Sequence, residues 1–138
     1  MKIVILDGYT LNPGDLSWER LNKFGELTIY DRTEYDNDKI IEAIGEAGII
    51  FTNKTPLPNE VLDKISSLKY IGVLATGYNI VDVDAAKDLG IVVTNVPGYG
   101  TTAVAQMTMA LLLEMCHHVG EHNRAVKEGE WSKSKDFC

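Results

Sequence analysis

Three groups of residues have types and spacings that could do chemistry. In Thr76-Gly77-Tyr78 the glycine lets backbone N–H groups approach an anionic ligand closely, and successive amides in such a turn form an anion-binding nest. Thr76 adds a hydroxyl. The same stretch also suits an ordinary strand-to-helix connection, with a permissive Gly77 and with Asp82 as the helix cap. The second group, Gly98-Tyr99-Gly100-Thr101-Thr102-Ala103, satisfies the G-x-G-x-x-G/A pattern of a dinucleotide turn. That chemistry also needs a following strand that ends, about 20 residues on, in an acid for the ribose hydroxyls. Glu121 has the spacing but falls in a helical stretch, and Pro97 intervenes before the glycines, so the segment is read as loop glycines ahead of a helix, a hinge between domains. The third group is His118 and His122, one helical turn apart. The spacing can chelate a metal, but no third ligand is evident and the pair is read as part of a solvated face.

Alternating elements must position these residues. Short β-branched runs at Lys2–Asp7, Leu27–Asp31, Gly48–Thr52, Tyr70–Leu74 and Ile91–Asn95 predict five strands. They are apolar on consecutive positions, which suits strands covered on both faces of a parallel sheet. Helices are expected at about Ser17–Phe24, Asp38–Ala47, Pro58–Ser66 and Asp82–Leu89, with caps at Asn59 and Asp82. Residues 1–100 therefore read as an α/β domain with a flavodoxin-like, doubly wound, parallel five-stranded sheet. Ligand chemistry in such sheets collects at the carboxyl ends of the strands. Asn53 and Lys54, ending the third strand, would face the same cleft as Thr76–Tyr78. Lys54 could complement an acid substrate or be a solvated loop charge. Asp7 ends the first strand and is read as a loop-stabilising hydrogen-bond acceptor. A phosphoacceptor of the receiver type would stand on the third strand, where this chain has Thr52.

From Thr101 to about Lys127 the chain contains no proline and only Gly120, which predicts a single helix roughly 40 Å long at 1.5 Å per residue. Its first half, AVAQMTMALLLEMC, is apolar on nearly every side, and such a helix is normally covered all round. The chain thus reads as a domain followed by a long interdomain helix, at 101–138, and the start of a further domain cut short. Self-association through residues 101–128, as a homodimer, is expected. The net charge of −7 excludes the clustered basic surface that nucleic acid requires. Neither cysteine, Cys116 nor Cys138, has disulfide-scaffold or zinc spacing. No signal peptide and no membrane span is legible, and a cytoplasmic protein is expected.

The stretch ATGYNIVDVDAAKDLGIVVTNVPGYGTTAVAQ, Ala75 to Gln106, which carries D-x-D-x-A-x-x-x-G-I-x-V-x-N-x-P from Asp82 to Pro97, resembles the D-isomer-specific 2-hydroxyacid dehydrogenase family. TNKTPLP at Thr52–Pro58 is similar to the family's glycerate dehydrogenase (hydroxypyruvate reductase) branch. The resemblance implies hydride transfer between a nicotinamide cofactor, NAD or NADP, and a small D-2-hydroxy or 2-keto acid such as glycerate or hydroxypyruvate. It implies that the amides of Gly77 and Tyr78 hold the substrate carboxylate, that Thr76 lies near substrate and nicotinamide, and that Val104 packs beside the nicotinamide. Gln106 departs from the glutamate common at its position. The family's Arg and its Glu-paired His have no counterpart in this sequence, so the chain alone is expected to be inactive. The alternative is a non-catalytic flavodoxin-like interaction domain whose apolar helix docks a partner.

Overall fold

The five β-branched runs form five strands: β1 (Lys2–Ile5), β2 (Glu26–Ile29), β3 (Ile49–Thr52), β4 (Tyr70–Val73) and β5 (Val92–Thr94). The computed structural model describes residues 1–135; Cys138 lies outside the described residues. All strand pairs are parallel, in the order β2-β1-β3-β4-β5, the expected flavodoxin-like arrangement. The chain first steps from β1 to β2, then returns past β1 to β3 and continues outward. With right-handed crossovers, the first connection and the later ones cover opposite faces. The order reverses between β1 and β3, where open α/β sheets gather ligand-binding loops.

The central strands are covered on both sides as expected. Ile3 and Ile5 are buried, as are Val4, Leu6, Ile50, Ile71 and Val73. The latter pack with Ile40 and Ile44 of α2 (Asn37–Ile44), Val61 and Leu62 of α3 (Asn59–Leu62) and Ala86 of α4 (Val83–Asp88). The two edge strands, β2 and β5, are mostly exposed, so consecutive apolar residues there do not signify double cover.

Several helices differ from expectation at their ends. The stretch from Ser17 contains only a 3₁₀ turn, Glu19–Lys23. A short α1 (Gly8–Leu11) was not legible, its four residues being too few for a period. The side chain of Asp36 caps α2 by accepting from Lys39 N at 3.1 Å, and Asp82 caps α4 by accepting from Ala85 N at 3.0 Å. Asn59 is not a cap. Pro58 occupies that position, its carbonyl accepting from Val61 and Leu62, and α3 ends at Leu62 instead of Ser66.

From Tyr99 onward the chain forms a second compact unit. The single long helix expected there is two: α5 (Thr101–His117) and α6 (Val119–Lys127), divided at His118 with φ 49° and ψ 42°. This left-handed residue ends α5, its N–H bonding Glu114 O at 2.9 Å. His118 offers no side-chain cap to α6, and the Glu114 carboxylate serves instead, accepting from Gly120 N at 3.1 Å. A Cβ on Gly120 would lie 2.9 Å from Glu114 Oε1, so glycine is what admits the carboxylate.

Candidate functional site

At the carboxyl end of β1 the Asp7 side chain is buried, 2% exposed, and its carboxylate organises the segment that leaves β3. One oxygen, Oδ2, accepts from the Thr52 hydroxyl at 2.9 Å, from Asn53 N at 2.6 Å and from Lys54 N at 3.1 Å. The other, Oδ1, accepts from the Thr55 hydroxyl. Thr10 Oγ1 donates to Asp7 O at 2.9 Å and accepts from Asn53 Nδ2 at 3.1 Å. The burial of a carboxylate is offset here by four donors, two of them backbone amides that no strand partner could satisfy. Asp7 is thus the loop-stabilising acceptor expected from the sequence.

The segment held by Asp7 is joined to the loop after β4. Leu57 pairs with Val81 in a parallel bridge, with Leu57 N donating to Ile80 O at 2.7 Å and Asp82 N to Leu57 O at 3.0 Å. The glycine loop is also fixed from β5: Asn95 Nδ2 donates to Thr76 O at 2.8 Å, and the Thr76 hydroxyl donates to Val96 O at 3.1 Å. That hydroxyl keeps lone pairs for a ligand but has already used its proton. Gly77 and Tyr78 are exposed, and among the described residues neither amide donates to a protein acceptor. Gly77 does not use the left-handed region that only glycine favours. A Cβ there would approach only Asn79 Oδ1, at 3.4 Å, so what the glycine leaves open is space beside the backbone. The arrangement is two free N–H donors at the end of a central strand, beside a loop carrying Lys54, whose ammonium has no acceptor among the described residues.

Five of the residues singled out in the sequence, Asn53, Lys54, Thr76, Gly77 and Tyr78, lie on these two joined loops of the first unit. Tyr78 also lines a cavity of about 340 Å³ with Lys87 and Asn95. Val104 stands on α5 in the second unit, 67% exposed. Gly98, at φ 73°, and Gly100, at the head of α5, form a turn into a helix. Every strand of the described residues precedes that turn, so the ribose-binding strand of a dinucleotide fingerprint is not supplied. His118 Nδ1 lies 3.8 Å from Glu121 Oε2, and no group of three or more metal-ligating side chains occurs among the described residues. No helix among them is long and apolar enough to cross a membrane.

Sequence reasoning missed Thr10, Thr55 and Asn95. Thr-x-x-Thr at a strand end, opposite an aspartate ending the neighbouring strand, was the available signal. Asn95 gave none, because its partner is a carbonyl nineteen residues away.

The model of the D-isomer specific 2-hydroxyacid dehydrogenase catalytic domain matches residues 3–135. A hydroxypyruvate reductase of Blautia hydrogenotrophica is 56% identical over 139 residues, covering 100% of this chain and 43% of that protein. A glycerate dehydrogenase of Methylorubrum extorquens is 33% identical, covering 99% and 42%. Among solved structures, an acyclic imino acid reductase in complex with NADPH and D-Arg superposes with a TM-score of 0.76 at 29% identity, covering 94% of this chain and 41% of that one. The chain thus spans about two fifths of the length of these relatives. It belongs to the D-isomer specific 2-hydroxyacid dehydrogenase family.

Proposed function

From that membership we propose that the chain supplies the substrate-facing domain of a nicotinamide-dependent oxidoreductase that interconverts a small D-2-hydroxy acid and its 2-keto acid, with glycerate and hydroxypyruvate as the favoured pair. The observation that carries the proposal is the pair of unpaired amides at Gly77 and Tyr78. A carboxylate is the ligand such a pair suits, because two consecutive N–H donors match its charge and its two oxygens. Lys54, one loop away, adds a positive charge to draw in an acid, and Asn53 orders the same loop through Thr10. The names of the 56%-identical hydroxypyruvate reductase and the 33%-identical glycerate dehydrogenase support the choice of a three-carbon acid.

The described residues do not fit the whole cofactor. Thr76 and Val104 are the positions assigned to its nicotinamide end, whereas Gly98–Ala103 lacks the strand that a pyrophosphate and ribose site would need. Binding of the rest of NAD or NADP, and the roles of the Arg and the Glu-paired His that polarise the carbonyl and move its proton in the family, are not assigned to residues of this chain. The role left to the chain is orientation of the acid. Calorimetric titration of the 138-residue chain with hydroxypyruvate is expected to show weak binding that D-glycerate competes away and that Gly77→Pro, which deletes one N–H, abolishes. The same chain is expected to leave NADH unoxidised in the presence of hydroxypyruvate. Binding unchanged by Gly77→Pro would refute the assignment of the amides.

The second element of the proposal is a homodimer through α5. The helix is apolar on every side, with Val104, Met107, Met109, Leu111, Leu112, Leu113 and Met115 all at least 49% exposed, a run of apolar surface that soluble proteins cover. A second copy of the protein is the occupant assigned to it.

A further inference from the structure

We infer that Asp7 is a positioning residue for substrate binding, acting through the backbone of Asn53 and Lys54; the inference rests on the reading of this rim as the acid site. Its carboxylate is remote from the glycine loop in sequence, and no partner of it is a ligand-facing side chain. What it holds is the course of the chain. Two of its four donors are the consecutive amides of Asn53 and Lys54, and the other two are the hydroxyls of Thr52 and Thr55 that bracket them. The segment between those brackets is the one that carries Lys54, and two residues past Thr55 it enters the Leu57–Val81 bridge to the glycine loop. Hydrogen bonds from the end of β1 thus hold the β3 loop, and the chain leaving it bonds Ile80 and Asp82, between which Val81 N donates to Tyr78 O at 3.0 Å. The strand-order switch explains why an acid is used. At the end of β1 the sheet offers no further strand to satisfy the departing amides, and a carboxylate with four acceptor sites can satisfy both amides and both hydroxyls at once.

The chemistry of the clamp defines its test. In Asp7→Asn the shape is kept, but one acceptor oxygen becomes an NH₂ donor and the charge assistance of the remaining bonds is lost. Thr55→Val removes one bond and leaves three, and Thr55→Ser restores the hydroxyl. These variants are made in the intact protein that carries this chain, with hydroxypyruvate and NADH or NADPH as the assay. The expected result is a KM for the keto acid raised about tenfold in Asp7→Asn and about threefold in Thr55→Val, the size of one weakened charge-assisted bond and one deleted neutral bond. Thr55→Ser returns the wild-type value, while KM for the cofactor and kcat change less than about twofold, as for loss of uniform substrate binding. A keto-acid KM within error of wild type in both Asp7→Asn and Thr55→Val overturns the inference. A parallel decline of kcat and of both KM values with the melting temperature also overturns it, since that is the behaviour of a purely structural residue.

If the wild-type protein reduces no 2-keto acid, the reading of the site fails and amide hydrogen exchange decides the clamp on its own. Exchange at Asn53 and Lys54 at least about tenfold faster in Asp7→Asn, with β1 amides still protected, keeps Asp7 as the loop's positioning residue. Unchanged exchange at those two amides removes it.

Discussion

Among the described residues, every buried apolar side chain lies at or before Ile91, and none lies beyond it. The first region holds its functional loops on a packed sheet, and the second presents the apolar helix α5 without a core of its own. The difference lies in how apolar residues are distributed more than in how many there are. In the first unit they recur in runs of about four, which β-strands stack between layers. In α5 they follow one another for more than a dozen residues with little polar interruption, and such a helix acquires its cover from outside itself. The proposed function accordingly gives stability and ligand positioning to the first unit and association to the second.

Substitutions separate the two roles. The largest effect is expected in the sheet core, where Ile71→Ala should lower the unfolding free energy by about 4 kcal/mol, measured by denaturant titration. Asp7→Ala should follow at about 3 kcal/mol, because it leaves the buried Thr55 hydroxyl and the part-buried amides of Asn53 and Lys54 without acceptors, the Thr52 hydroxyl keeping Thr55 O at 3.1 Å. The cap on α4 is a smaller contribution, and Asp82→Ala should cost about 1 kcal/mol. On α5 the order reverses. Leu112→Gln should alter unfolding of the first unit by less than about 0.5 kcal/mol, yet shift sedimentation toward monomer. A loss of several kcal/mol from Leu112→Gln would break the comparison.

Much of the first unit was legible because each strand is a β-branched run bounded by polar or glycine residues, and the parallel order follows from the crossovers between them. Edge exposure was not legible. Val92-Val93 reads like Ile3-Val4, and only the sheet order distinguishes an outer strand from a central one. The break at His118 was hidden for a local reason. A left-handed histidine is rare, and the interaction that completes the turn, Glu114 with Gly120, spans six residues, a separation that no i, i+3 or i, i+4 helical pairing singles out. Of the candidate site, the glycine loop and the strand ends were readable from type and place, and the role of Asp7 followed from its position at the end of β1. The threonines and asparagine that fix those loops were not, since Thr55 acts on the Asp7 carboxylate, Asn95 on the Thr76 carbonyl and Thr10 on the Asn53 side chain, partners brought near only by folding.

The central claim is that the free amides after β4 receive a carboxylate, and ¹⁵N-resolved NMR of the chain during titration with hydroxypyruvate tests it most directly. The account predicts that the Gly77 and Tyr78 amide resonances shift most, with Lys54 next and the core of β4 unmoved. Saturable shifts confined to other loops, with Gly77 and Tyr78 unchanged, would contradict it.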